Sequence, residues 1–476
     1  MKSALGAIFL ALVASGCVAY HPEPLDPSQL EADFRARTLS DERLGEFLRA
    51  NLASSAPEAA AWPPRSWDLR MLTLAAFFYQ PDLDVARGMV ARAEAAIRTA
   101  GERPNPSLTA TPVYSANPPA GVSPWLPSIG VGIPIETAGK RGARLARARA
   151  AAEAARIRFE EAGWRIYSGV RSTMVRHIIS RRRLEALRTE EEALNEVVRL
   201  LERRLEAGQV SAIVVDAARV RLSESALAAR SAEGAVAESR AALASAVGVP
   251  TCALDGVTLS EAAFDELPAV GAGWPSSLRR TGLTSRLDLR RALVDYAVAE
   301  AALRLEVARQ YPNIRLGPGY AYDQGQNEYS LGLSVTLPIL NRNRGPIAEA
   351  EAGRKTSAAS FLALQAEVTG EISEALARYS ASVGVLGEAR QALDLQVRLL
   401  ARAEREFDAG QTGSLSLAAA RAQKAVVERL DVDALAGARQ ALGALEDAIM
   451  RPIGSVPLPG VPLADPHRDN DRSARK

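Results

Sequence analysis

The sequence has little of what most metal, redox and catalytic sites are made from. Its 476 residues include three histidines and two cysteines. His21, His177 and His467 lie far apart, so they give no ligand spacing for a metal, and Cys17 and Cys252 give no disulfide framework. Aromatics are 5% of the chain while charged residues are 24%, which fits long solvated helices better than a compact enzyme with an aromatic core. Neither sign of charge dominates, and a net charge of +2 excludes nucleic-acid binding through bulk electrostatics. No paired carboxylates and no nucleophile with its base occur in a defined setting. "AGKR" at 138–141 lacks the spacing and the Ser/Thr of a phosphate loop. The chain reads as a non-enzyme with no cofactor and no metal.

The N-terminal apolar run is also short. "MKSALGAIFLALVASGC" places Lys2 before an apolar core from Ala4 to Ala14, then Ser15-Gly16 and Cys17. This is a signal-peptide layout, and its core is too short to span a bilayer. The small residues before Cys17 resemble the lipobox of bacterial lipoproteins, with Ala14 where leucine is commonest. That resemblance implies lipidation of Cys17, and Val18 after it implies transfer to the outer membrane. An ordinary secretory signal that happens to contain a cysteine is the alternative. Both take the chain out of the cytoplasm.

Proline is absent between Pro134 and Pro250 and between Pro346 and Pro452. Both intervals are rich in the strong helix formers Ala, Arg, Glu and Leu. "RLARARAAAEAARIRFEEA" and "ALDLQVRLLARAEREFDAG" repeat apolar residues every three or four positions. Each interval is broken once, at "LEAGQVSAIVV" and at "FDAGQTGSLSL". Gly208 and Gly410 supply the left-handed conformation that ends a helix, and Ser211 and Ser414 are expected to cap the returning helices. Each interval is therefore a helical hairpin. An arm from Lys140 to Leu205 spans roughly 100 Å at 1.5 Å per residue. Frequent Arg and Glu exclude a membrane helix, which leaves a long coiled-coil-like strut packed through alanines.

Ahead of each hairpin the pattern becomes alternating. "YSLGLSVTL" puts Tyr329, Leu331, Leu333, Val335 and Leu337 on one face, and "SIGVGIPI" does the same with Ile129, Val131, Ile133 and Ile135. "NPSLTATPVY" and "NIRLGPGYAY" alternate less cleanly, and "SANPPAGVSPW" and "DQGQNE" are the turns between. Segments of about 10 residues that are apolar on one face and small or polar on the other mark transmembrane β-strands; a soluble two-stranded hairpin is the alternative. Four strands cannot close a barrel and lipid does not tolerate open edges, so membrane strands here require several chains to pool them.

The order helix, strand, turn, strand, long helix, glycine turn, helix occurs twice. "PDLDVARGMVARAEAAI" aligns with "LDLRRALVDYAVAEAAL", matching Asp82 to Asp288 and, further on, Pro134 to Pro338. Such a repeat is a duplicated structural unit. From about Asp82 to Met450 the chain closely resembles the TolC-like outer-membrane efflux ducts. The resemblance rests on "PDLDVA" (81–86), "NPSL" (105–108), "PIETAGKRGAR" (134–144), "AGQVS" (207–211), "YPNIRLG" (311–317) and "LPILNRNRG" (337–345), taken in order. "PIETAGKR" looks like the strand-to-helix junction of heavy-metal efflux ducts, and drug-efflux ducts have similar junctions.

The fold class read here is an α+β membrane protein with a duplicated repeat of long helical hairpins and two strands each. The resemblance implies a homotrimer with a twelve-stranded β-barrel in outer-membrane lipid, continued by an α-helical barrel through the periplasm. It implies hairpin tips at Gly208, Gln209 and Ser211 and at Gly410, Gln411 and Ser414, docking a periplasmic membrane-fusion (adaptor) protein served by an inner-membrane pump of RND or ABC type. Some family members carry acidic residues just past the second tip; here those positions fall near Ser416 and Ala419, and Asp216 is the nearest acid after the first tip. The candidate gate is therefore Val214, Asp216, Leu415, Ser416 and Leu417, with simple interhelical packing as the alternative role for the apolar members.

Domain boundaries follow. They are 1–17 signal peptide, 18–70 N-terminal segment, 71–250 first repeat (strands about 106–115 and 127–135, tip 207–211), 251–285 linker, 286–452 second repeat (strands about 313–322 and 329–338, tip 409–414) and 453–476 tail. The function implied is a passive exit duct of a tripartite efflux pump, for metal ions or drugs. A duct for type I protein secretion, or a periplasmic helical adaptor or scaffold, are the alternatives. "SRRRLEALR" at 180–188 is expected to be an exposed basic face.

Overall fold

The computed structural model describes residues 20–52, 62–262, 264–271, 273–323, 325–454 and 460–463. The signal segment with Cys17 and most of the tail lie outside the described residues. The N-terminal part forms α1 (Pro27–Arg35), α2 (Glu42–Asn51) and α3 (Leu69–Tyr79). The first repeat is α4 (Pro81–Gly101), β1 (Ser107–Tyr114), β2 (Trp125–Ile135), α5 (Lys140–Glu206) and α6 (Ala212–Val247). After α7 (Trp274–Ser285) the second repeat gives α8 (Leu287–Arg309), β3 (Ile314–Asp323), β4 (Gln326–Val335), α9 (Arg344–Asp408) and α10 (Ser414–Ile449). Strand β4 begins and ends three residues before the span read from the sequence, so Leu337 falls outside it.

The helices stack end to end. The C-terminus of α6 meets the N-terminus of α4, and both lie along α5; α10 and α8 meet in the same way beside α9. The joints are held by polar side chains that satisfy the last carbonyls of a helix, groups with no partner inside it. Gln80 Nε2 donates to the carbonyls of Ser245 and Ala246 at 2.7 and 2.8 Å, and Arg37 donates to Gly248 O at 2.8 Å. At the matching place in the second repeat, Arg286 donates to Ala448 O at 2.8 Å and pairs with Asp288 and Glu371. Both C-terminal caps are left-handed, Gly248 at φ 86° and Met450 at φ 48°. A Cβ on Gly248 would sit 3.2 Å from the Tyr79 carbonyl, in a left-handed conformation, so any other residue would be strained at the first joint.

Two apolar cores lie near these joints. The larger collects nearly all of α3 with Leu44 and Leu48 of α2, Phe159, Val170 and Ile178 of α5, and Leu243 and Val247 of α6. The smaller joins α7 to Val368, Ile372 and Tyr379 of α9 and Leu442 and Leu445 of α10. Between them the described part of the linker packs against α5, α9 and α10. Phe264 is clasped by Arg182 and Arg439, whose guanidinium carbons lie 4.9 and 4.8 Å from its ring centre. Arg182 also pairs with Glu261 and Asp265, and Tyr379 donates to Pro268 O at 2.7 Å. In the basic run at 180–188, Arg181, Arg183 and Arg188 are exposed as expected, each with a carboxylate of another segment within ion-pair reach, and Arg182 alone is drawn in against the linker.

The strands form one antiparallel sheet in the order β1-β2-β3-β4. Its register aligns the alternation of all four strands. Leu108 faces Val131, Ala110 faces Ile129, Ile129 faces Tyr320, and Leu316 faces Leu333. One face is therefore apolar apart from Asn327, which pairs with Tyr322 at the β3–β4 turn. The other is mostly glycine, serine and threonine.

Candidate functional site

Both hairpin tips are built alike. Helix α5 ends at Ala207, with Gly208 at φ 70°. Gln209 N donates to Arg204 O at 2.8 Å and Gly208 N to Leu205 O at 2.9 Å. Those two bonds define a Schellman stop, in which the residue after the helix must be left-handed. Helix α9 repeats it, with Gly410 at φ 68°, Gln411 N to Glu406 O at 2.8 Å and Gly410 N to Phe407 O at 2.9 Å. The tip residues Gly208, Gln209, Ser211, Gly410, Gln411 and Ser414 are all exposed.

The capping expectation is corrected. Ser211 occupies the cap position of α6 but its hydroxyl makes no capping bond, and in the second repeat Gly413 is the cap while Ser414 is already helical. Each hairpin is instead tied just above the tip by one equivalent ion pair. Arg219 reaches Glu202 at 2.7 Å, and Arg421 reaches Glu404 at 3.5 Å. These pairs join residues 17 apart in sequence, a distance that becomes adjacency only once the chain reverses at the glycine.

The structure separates the candidate gate residues. Val214, Asp216 and Ser416 are exposed, Leu415 is half-buried, and Leu417 is buried. Leu417 and the matching Val215 are buried. Asp216 lies 3.4 Å from Arg219. His177 is also structural: it is buried, its Nδ1 sits 3.1 Å from Ser239 Oγ, and burial together with Arg181 and Arg240 lowers its pKa.

The two hairpins are joined to each other by cross-links that sequence reading missed. Arg171 of α5 is buried against α10, donating to Glu446 and Asp447 at 2.7 Å and to Gly443 O at 3.0 Å. Further toward the tips Arg183 meets Asp433 at 3.4 Å and Arg429 meets Glu190 at 2.8 Å. Among the described residues no ion pair joins the hairpins beyond Glu190 and Arg429. No cluster of His, Cys, Asp or Glu suited to a metal occurs among them either.

At the opposite end, the strand-to-helix junctions match. Ala138-Gly139 before α5 and Arg342-Asn343 before α9 are both pairs of left-handed residues. Lys140 locks the first junction, donating to Tyr311 O at 2.6 Å and Asn313 Oδ1 at 2.5 Å. Asn343 donates to Glu306 O at 2.7 Å in the second. Above these junctions the apolar face of the sheet is uncovered, with Ile129, Tyr329, Leu331 and Leu333 exposed. Leu227 on α6 and Leu362, Leu395 and Leu399 on α9 are exposed as well. No helix among the described residues is long and apolar enough to cross a membrane.

The chain is thus built of twin helical hairpins with glycine tips, carried below a one-layer, four-stranded sheet. The chain belongs to the outer membrane efflux protein family, whose pattern matches residues 79–249 and 278–449. Its fold is similar to that of the outer membrane protein VceC from Vibrio cholerae, with a TM-score of 0.63 and 19% identity over 80% of this chain and 95% of that one. A membrane protein from Pseudomonas aeruginosa gives 0.66 and 19%, over 83% and 92%. The CmeC outer membrane channel from Campylobacter jejuni gives 0.62 and 15%, over 91% and 94%. No curated protein matches the sequence.

Proposed function

We propose that three copies of this chain form the outer-membrane exit duct of a tripartite efflux pump, passing small toxic solutes without chemistry. The single observation that carries this reading is the four-stranded sheet, which has an uncovered apolar face and two unpaired edges. In water such a face costs about 25 cal/mol per Å² left exposed, and in lipid the unpaired edges are costlier still. Pooling resolves both. Strands β1 and β4 run in opposite directions, so β4 of one copy pairs antiparallel with β1 of the next, and a head-to-tail interface of this kind closes into a ring. Three copies give twelve strands, with the apolar face toward lipid. Cys17 would anchor each copy in the outer membrane, and the exposed leucines of α6 and α9 would meet between copies in the periplasm.

The tips would dock the adaptor, with the inner-membrane pump beyond it. Each hairpin carries an ion pair between its arms just above the tip. The lowest tie between hairpins, Glu190 to Arg429, lies 18 residues before Gly208, about 27 Å of helix. Below that tie no ion pair among the described residues crosses between the hairpins, and Arg204 of α5 lies beside Gly413 of the second tip; an adaptor that binds a parted state would shift the population toward open.

Native mass of the detergent-extracted outer-membrane fraction tests this. A species of about 150 kDa, three chains of 50.7 kDa, is the expected result. A monomer, or release by salt without detergent, overturns it.

A further inference from the structure

The polar face of the sheet, which the proposed barrel turns inward, carries very little charge. From Ser107 to Thr111 on β1, Ser128 to Gly132 on β2, Gly317 to Ala321 on β3 and Ser330 to Ser334 on β4, its inward positions are only Gly, Ser, Thr or Ala. One cation interrupts it. Arg315, at the helix end of β3, sits in register between Pro134 on β2 and Ser334 on β4, neither of which is a carboxylate. Its side chain is exposed and runs beside Gly132, where an added Cβ would lie 3.5 Å from Arg315 Cδ. Glu136, two residues beyond Pro134, is already held by Arg144. The acids of the same face, Asp323 and Glu328, lie at the far end by the β3–β4 turn.

We propose that Arg315 is a specificity-determining residue: three copies form a cationic collar where the β-barrel meets the helical barrel, favouring anionic solutes over free metal cations. The inference rests on the trimeric-barrel reading and adds a substrate class to it. Its physical basis is size. Twelve strands about 4.8 Å apart and tilted about 40° enclose a backbone radius of about 12 Å. An arginine arm covers about half of that, which leaves its charge about 6 Å from the axis. The Debye length at physiological salt is about 8 Å, so the whole cross-section lies inside the field. Three such charges, screened by water, enrich a monovalent anion on the order of fivefold at the axis and exclude a monovalent cation by the same factor. Asp323 and Glu328 are too distant to cancel this. The nearer of the two, Glu328, is paired with Ala321, six residues of tilted strand from Arg315 and about 15 Å along the axis, nearly two Debye lengths.

The test is the reversal potential of the purified full-length protein in planar bilayers under a potassium chloride gradient. Wild type is compared with Arg315→Gln and Arg315→Glu. The proposal expects anion preference in wild type, a several-fold smaller anion-to-cation permeability ratio in Arg315→Gln, and cation preference in Arg315→Glu. Channels that insert and conduct with one unchanged selectivity in all three proteins overturn the collar and leave the barrel standing. Protein that is not trimeric and forms no channels overturns the barrel reading, and the collar with it.

Discussion

Arg171 and Glu446 are among the few charges of this chain that are nearly out of water, with side chains 9% and 7% exposed. They sit where two hairpins cross, and the ionic contact fixes their register at one point along otherwise Ala-rich surfaces. Breaking such a pair from one side typically costs about 3–5 kcal/mol, because the surviving charge stays buried. Burial raises the Glu446 pKa; Arg171 and the Ile453 N–H oppose that rise, while Asp447 adds to it. A raised carboxyl binds its proton more tightly in the folded state. Its contribution to stability is therefore complete below the usual value of 4.5 and is lost as pH rises through the folded value. Glu446→Gln cannot ionise. Its melting temperature relative to wild type should climb as pH rises above about 4.5, as read by thermal denaturation in detergent. A difference that stays flat with pH would remove Glu446 from the pH response. Asp265 and Glu136, lowered by Arg182 and Arg144, titrate in the opposite sense. They are common to both proteins and cancel from the comparison.

Each element makes sense by what its two sides meet. Helices α5 and α9 need no strong apolar stripe, since neighbours approach through alanines and the ends are stopped by glycine. The strands are less forgiving. A shift of one residue would turn Leu331 inward and Ser330 outward. Leu331 is 76% exposed in the single chain, which a lipid-facing position explains. Arginine at that position should cost about 2–4 kcal/mol if it lies near the bilayer midplane, while Ser330→Arg on the opposite face should be tolerated. Trimer yield in the outer-membrane fraction, compared between these two neighbours, reads out the facing of the strand. Equal yields would mean that β4 does not face lipid with this side.

For the whole molecule, the decisive property is that one copy is incomplete. Its sheet has two edges, and its helical layer ends in α6 on one side and α9 on the other. Leu395 of α9 is 56% exposed and outside the apolar cores of its own chain. Leu395→Glu should therefore leave the fold of a single copy intact while weakening the ring, because a charge would be buried between copies without a partner. Native mass spectrometry should show monomer gaining at the expense of trimer, with helical circular dichroism unchanged. A full complement of trimer would place this face of α9 away from the interface.

The hairpins, the strand alternation and the duplication were legible in the sequence because each is local. Helix and strand periods are set by backbone geometry, and Gly208 and Gly410 stand in left-handed turns that few other residues would take at so little cost. The tip residues were readable for the same reason, although Ser211 and Ser414 turned out not to cap. What only the tertiary structure decided is which distant residues meet. Arg171 finds Glu446 and Asp447 some 275 positions away, Phe264 is gripped by Arg182 and Arg439, and Gln80 and Arg286 close joints between helices that are not consecutive. Nothing in the period of a helix reports such partners, since charge pairing across elements depends on the axial offset of two rods. That offset is set by packing of the whole chain. Leu417 shows the same limit: its sequence position left gate and interhelical packing both open, and its burial is visible only in the folded chain.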